Sequence, residues 1–259
     1  MKIIACYNNK GGVGKSTIVL NVAYSLAKQG KRVLVMDCDG QQNAARFLCD
    51  NLPDAKHGLE RLLLAAPPIS PTASRIKSRY DMVDVIASTP AMNNAAAQYA
   101  AQPESLRKAQ LEMLREWEKP WISVDYDYAL MDMSPALNCI TEALLSITDG
   151  VIVPIELGSF AIQGVARVTE ALNRCGANFL GCVASRYDRK NSADVEMLKQ
   201  IRLQLGKKIF DTVIPQSKII KNSVSYRMTA AEYMGWLEPA KAFDKLAAEL
   251  DERMVRYEN

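Results

Sequence analysis

Lys10, Lys15, Ser16 and Thr17 lie within one short stretch, "NNKGGVGKST", residues 8–17. Gly11, Gly12 and Gly14 let a backbone approach an anion closely and take positive φ where that is needed. Backbone N–H groups of Gly11, Gly12, Val13, Gly14 and Lys15 would point at phosphate oxygens, with the positive end of a following helix behind them. Lys15 would reach the β- and γ-phosphates of a nucleotide, and the Ser16 hydroxyl would bind Mg²⁺. The usual spacing G-x-x-x-x-G-K-[ST] is broken at its first position, where Asn9 replaces glycine, and Lys10 follows it. A second lysine inside a phosphate cradle needs a reason of its own.

The acids that could serve such a loop are Asp37 and Asp39 in "VLVMDCDGQQN" and Asp132 in "YDYALMDMSP". Asp37 and Asp132 end apolar strand patterns, and Asp39 follows just beyond. In an open parallel sheet the carboxyl ends of the strands line the ligand crevice. A carboxylate buried in an apolar run is costly without a partner, and Mg²⁺ with its waters is one. Asp132 is therefore the expected magnesium carboxylate. Asp39, past the strand end, is placed to orient a water. Asp37 is either a functional acid or a strand-end acid that caps the next turn.

These residues need a scaffold, and the chain supplies one. Short apolar runs at 2–8, 31–37, 82–88, 128–132, 150–156, 179–185 and 208–214 read as strands. Helical periodicity falls between and after them, at 16–29, 103–117, 141–146, 161–174, 192–205 and 239–257. Gly30 sits where a helix C-cap glycine belongs. Continuous apolar strands alternating with helices predict an α/β fold: one mostly parallel sheet of about seven strands, with helices on both faces. Residues 65–81, rich in Pro and Ser, read as a loop inside a single domain spanning 1–259.

Composition narrows the function classes. Hydrophobic residues make up 49% and charged residues 24% of 259, ordinary for a globular protein. No run approaches the roughly 18 apolar residues that a membrane helix needs, and no signal peptide is visible, so a cytoplasmic protein is expected. Six cysteines, none in C-x-x-C spacing, read as reduced, buried thiols. His57 is the only histidine, which argues against a histidine metal site or a Ser-His-Asp triad. Charge is uneven. Residues 180–230 hold ten basic and four acidic side chains, a local charge of +6 in a chain of +3, so the remainder is net −3.

"KGGVGKST", "VLVMDCDGQQN", "YDYALMDMSPAL", "VIVPIELGSFAIQGV" and "TVIPQSKIIKNSV" together resemble the deviant Walker A ATPases of the ParA family, the Soj-like partition ATPases, over nearly the whole chain. The resemblance implies a P-loop NTPase with ATP and Mg²⁺ as cofactors, and it gives Lys10 its reason. The matching lysine of the family reaches across a nucleotide-sandwich homodimer to phosphates held by the other subunit. A second cation neutralises charge spread over the triphosphate, and only once two chains meet. By the same resemblance Thr17 would contact the α-phosphate, Asp39 would position the attacking water, Asp132 would hold the metal's water shell, and Pro215 would lie near the base. The family usually has D-x-D-P-Q-x-N; here Gly40 replaces the proline, which is expected to loosen the segment bearing Asp39.

Relatives on the same fold do other work, so the rest of the chain must choose among them. Cys139 resembles a cluster cysteine of the nitrogenase-type iron proteins, but no cysteine occurs between Cys49 and Cys139 to supply the second ligand. MinD-like membrane organisers end in a basic amphipathic helix. Here Phe243, Leu246, Leu250, Met254 and Tyr257 form a stripe, but from Lys241 onward four basic residues face five acidic ones. Anionic lipid would not attract that balance, and the stripe reads as core. The loop begins at residue 8, so no operator-binding helix-turn-helix domain is expected before it. The expected function is that of a short partition ATPase. It dimerises on ATP, binds DNA without sequence preference at the nucleoid, and is released when a ParB-like adaptor stimulates hydrolysis. Lys199, Arg202, Lys218, Lys221 and Arg227 are the candidate DNA contacts. The alternative is a related ATPase that positions a protein cargo.

Overall fold

Six mostly apolar runs of five to seven residues and one three-residue edge strand generate a seven-stranded sheet in the computed structural model. The structure describes all residues except 55, 68–69, 116–125, 159–160 and 259. The strands are β1 (Lys2–Cys6), β2 (Val33–Asp37), β3 (Arg75–Lys77), β4 (Val83–Ala87), β5 (Tyr128–Asp132), β6 (Gly150–Glu156) and β7 (Phe179–Ser185), in the spatial order β3-β4-β2-β5-β1-β6-β7. All neighbours are parallel except the edge pair β3–β4.

Alternate residues of each strand face opposite sides. Ile3 and Ala5 join a core with Leu34, Met36, Leu144 and Leu172 on one side; Ile4 and Cys6 join Val33, Val35, Leu26 and Leu250 on the other. Four helices supply much of the first core: α3 (Leu59–Leu64), α4 (Met92–Ala100), α6 (Cys139–Ser146) and α7 (Ala161–Cys175). The second core is built on α1 (Lys15–Lys28), α2 (Asn43–Leu48) and α11 (Glu238–Glu258). The remaining helices are α5 (Glu104–Arg115), α8 (Ser192–Leu205), α9 (Lys218–Ser225) and α10 (Ala230–Met234). Phe243, Leu246, Leu250 and Met254 are all buried against α1's side of the sheet, so the stripe on the last helix is core. The side chain of Tyr257 lies outside the described residues, as do residues 116–117 of the expected helix 103–117. Among the described residues no helix is long and apolar enough to cross a membrane.

The strand count of seven is right, but its membership is not. Residues 65–81 were expected to be loop, yet Pro71–Ser74 form a 3₁₀ turn and Arg75–Lys77 add an antiparallel edge strand. Residues 208–214, expected as a strand, make only an isolated bridge between Ile209 and Cys182. The physical reason lies in α11. Glu249 accepts the N–H groups of Asp211 and Thr212, at 2.8 and 2.9 Å, that a ladder would have used. Arg253 donates to the carbonyls of Leu180, Lys207 and Ile209 and stacks its guanidinium 3.9 Å from the Phe210 ring centroid. Arg253→Ala removes a largely buried cation and strands three acceptors, so a loss of about 2–4 kcal/mol is expected. A urea titration should read this as a lowered midpoint with the slope unchanged.

Candidate functional site

The loop between β1 and α1 is shaped by glycine. Gly12 and Gly14 have φ of 76° and 94°, a region that a Cβ would strain. A Cβ built on Gly11, Gly12 or Gly14 would meet nothing within 4 Å. These glycines border open space rather than packed protein, as an anion cradle requires. Behind the loop the anchoring is polar. Asn8 Nδ2 donates to Pro154 O at 2.7 Å, Lys10 N donates to Asn8 Oδ1 at 2.9 Å, and Ser185 Oγ donates to Val13 O at 2.8 Å. The cradle is thus tied to the ends of β6 and β7.

The two lysines occupy different places. Lys15 is 8% exposed, and its Nζ donates to the carbonyls of Asn8 and Lys10, both at 3.1 Å. Burial pushes its pKa down, against the pull of Cys6, Asp132 and Asp39. Lys10 points outward with its side chain 64% exposed, and its Nζ lies 2.6 Å from Glu156 Oε2. The other oxygen of Glu156 accepts from Arg186 at 2.8 Å.

Asp37 and Asp132 stand opposite each other in the β2–β5 register, and Asp132 also faces Cys6 on β1. Asp132 is 2% exposed. Ser16 lies beside its carboxyl group and lowers its pKa, yet Oδ1 has no hydrogen-bond partner among the described residues. Burial, and then the neighbouring Asp37, hold its pKa well above the carboxylate range. An orphaned, buried carboxylate oxygen beside a serine hydroxyl is costly alone and is relieved by a cation. These residues therefore fit Mg²⁺ held through Ser16 with Asp132 behind it.

Asp37 has both oxygens engaged: Oδ1 accepts from Asp39 N at 3.1 Å and Oδ2 from Ala45 N at 2.8 Å. It is fully buried, and it secures the first turn of α2. Asp39 is half-buried. Its Oδ1 accepts from Gln41 N at 3.0 Å, while Oδ2 makes no hydrogen bond among the described residues. A Cβ on Gly40 would lie 2.7 Å from Asn93 Oδ1. The side chain of Asn93 thus fills part of the space beside the glycine that replaces the family's proline, and the segment is less open than the substitution implied.

A crevice of about 870 Å³ runs from the loop to the segment after β7, lined by Gly14, Thr17, Arg186, Pro215, Lys218 and Lys221. Thr17 and Pro215 are therefore brought together on one cavity, large enough for a nucleotide. The five basic candidates are not brought together in the same way. Lys218 and Lys221 line the crevice at the start of α9. Lys199 and Arg202 lie on α8, where Lys199 is 3.9 Å from Glu196 and Arg202 donates to Asp211 O. Arg227 is held by Cys49 O and Asp50. Sequence reasoning missed Glu156, Asn8 and Ser185, and took Arg186 only as the start of the basic segment from Arg186 to Arg227. The available signal was that three of them end parallel strands or begin the loops beyond, where ligand crevices form.

The AAA domain family matches residues 1–179. The chain is 32% identical over 97% of its length to the chromosome-partitioning ATPase Soj of Thermus thermophilus, covering 96% of that protein. It is 29% identical over 98% of its length to the chromosome partitioning protein ParA of Caulobacter vibrioides, covering 95% of it. Among solved structures, apo McdA from Cyanothece superposes with a TM-score of 0.81 at 20% identity, over 96% of this chain and 99% of that one.

Proposed function

Because this chain belongs to the ParA/Soj partition ATPases of the ParA/MinD superfamily, we propose that it is an ATP-driven dimerisation switch that binds DNA without sequence preference and segregates it with a ParB-like adaptor. Its reaction is ATP hydrolysis to ADP and phosphate, with ATP and Mg²⁺. The observation that carries the switch reading is the division of labour between two lysines of one loop. Lys15 is buried against the cradle, whereas Lys10 faces outward, where a second chain can meet it.

In this reading the N–H groups of residues 11–15 and the Lys15 ammonium bind the β- and γ-phosphates, and Thr17 takes the α-phosphate. Ser16, with Asp132 behind it, would hold Mg²⁺, which would supply charge neutralisation at the phosphates. Asp39 orients the attacking water with its unengaged oxygen. Pro215 packs beside the base. Lys10 adds its charge to the triphosphate of the partner subunit, so hydrolysis waits on dimerisation.

The DNA surface is the basic face around α8 and α9, doubled when two chains join. Each neutralised phosphate contributes roughly −0.9 to the slope of log affinity against log salt, so three cations per chain give a slope of about −5. Binding should depend little on base sequence, because phosphate contacts carry none. The test is a salt titration with random duplex DNA in ATP and in ADP, with Lys10→Ala as the non-dimerising control. Equal binding in both nucleotides, or no change when Lys218 and Lys221 both become Glu, would sink the DNA half of the reading. The second reading, a positioner of protein cargo, is favoured by one observation. Lys199, Arg202 and Arg227 are already engaged within the chain, which leaves a thinner surface for phosphates.

A further inference from the structure

Lys10 is not idle in the single chain. Its ammonium sits 2.6 Å from Glu156 Oε2, at the end of β6, although 146 residues separate the two in sequence. Glu156 is held in turn by Arg186, 2.8 Å from Oε1, just past the end of β7. The sheet order β1-β6-β7 brings these three strand ends together, and both anchors of the cradle, Pro154 and Ser185, belong to the same two strands. The backbone leading to Arg186 is strained: its φ is 54°, a conformation uncommon for a residue with a side chain. Such outliers persist where the surroundings fix them.

We propose that Glu156 is a positioning residue for Lys10: its carboxylate holds the outward lysine against its own subunit until a second chain's triphosphate competes for it. This rests on the reading that Lys10 acts across the dimer. The charges support an exchange rather than a permanent bond. Lys10 is 64% exposed on its side chain and Glu156 25%, so the pair is well solvated and of modest strength. A triphosphate carries several negative charges against the single one of Glu156. When Lys10 leaves, Glu156 still has Arg186 as a partner, so no carboxylate is left unpaired. Arg186 makes the departure cheap, and Glu156 sets the threshold at which it happens.

The threshold acts twice in a symmetric dimer, because both lysines must be released. A partly exposed ion pair shifts an equilibrium by about five-fold, so removing the carboxylate should tighten dimerisation by roughly 25-fold. Glu156→Gln keeps the shape and Arg186's hydrogen-bond acceptor while removing the charge. The experiment measures the protein concentration at which ATP-bound chains dimerise, by light scattering, together with ADP affinity by calorimetry. Four proteins are compared: the natural chain, Glu156→Gln, Lys10→Ala and the double variant. Glu156→Gln should dimerise at a concentration lower by roughly one order of magnitude or more, and should bind ADP as the natural chain does, which also shows that it is folded. In the Lys10→Ala background the same substitution should not restore ATP-driven dimerisation, because the lysine it would release is gone. An unchanged midpoint in Glu156→Gln, or ATP-driven dimerisation restored by Glu156→Gln in the Lys10→Ala background, overturns the positioning role while leaving the across-dimer reading standing. Normal ATP-driven dimerisation by Lys10→Ala alone overturns both.

Discussion

Lys15→Ala should lose ATP and ADP together while the fold survives. Lys15 is the one cation buried inside the cradle, 8% exposed, with its ammonium on the carbonyls of Asn8 and Lys10. Removing one partner of a desolvated charged contact costs about 2–5 kcal/mol, or roughly 30- to several-thousand-fold in affinity. The protein itself tolerates the change better. What remains is two loop carbonyls, which water entering from the open side of the glycines can satisfy. Lys15 also brings a desolvation cost, because burial depresses its pKa. Calorimetry with ADP and with ATP, beside a thermal melt, separates the two effects. Unchanged nucleotide affinity in a folded variant would refute the assignment of Lys15 to the phosphates. Lys15→Gln, which keeps hydrogen-bonding capacity without the charge, should fall on the weak side as well, since the contact is to an anion.

The parallel part of the sheet was legible because burial on both faces writes itself as unbroken apolar runs, as in "VLVMD" and "GVIVPIE". What failed were segments whose backbone partners come from outside the local pattern. Arg75–Lys77 carries two charges in three residues, as an edge strand can, and so looked like loop. Residues 208–214 have the composition of a strand, but Glu249 and Arg253 on α11 capture their backbone groups. α2 is six residues long and is secured by a distant acid, Asp37, rather than by a local cap. No window-based periodicity detects such a helix.

The candidate site divides along the same line. The cradle could be read because its chemistry is backbone chemistry, and glycine spacing encodes it directly. Thr17 and Pro215, 198 positions apart, meet on one crevice only through the topology. Glu156 and Arg186 carried no local mark; a glutamate ending a strand and an arginine beginning a loop are common. Their meeting with Lys10 depends on β6 and β7 lying next to β1, and strand order is not written in the period of any one strand. Asp37 and Asp39 were separable in principle, since one falls inside the apolar run and one beyond it. Only the geometry tells which has a free oxygen.

That difference makes Asp39→Ala the sharper of two expected outcomes. Asp37 spends both oxygens on the N–H groups of Asp39 and Ala45, at 3.1 and 2.8 Å, and burial raises its pKa against those hydrogen bonds. Its removal orphans one buried and one half-buried donor and unties α2, so Asp37→Ala should lower stability before it alters chemistry. Asp39 has one oxygen on Gln41 N and the other available for a water. Losing a group that orients the nucleophile slows the chemical step by about 10²–10⁴-fold. Binding, which we assign to the cradle, Lys15 and Ser16, should be spared. Asp39→Ala should therefore accumulate with ATP uncleaved, as a dimer if Lys10 acts across subunits. Phosphate release under single-turnover conditions, alongside ATP affinity and a thermal melt, distinguishes the roles. A folded Asp37→Ala that binds ATP and cannot cleave it, beside an Asp39→Ala that turns over normally, would exchange the two assignments. Gly40 adds a graded version of the same test. Since a Cβ there would crowd the Asn93 side chain, Gly40→Pro should restore the family's sequence yet displace that side chain, whereas Gly40→Pro with Asn93→Ala relieves the contact. If the rigidity of this turn governs how well Asp39 holds its water, the double variant should cleave ATP faster than Gly40→Pro alone, at unchanged ATP affinity.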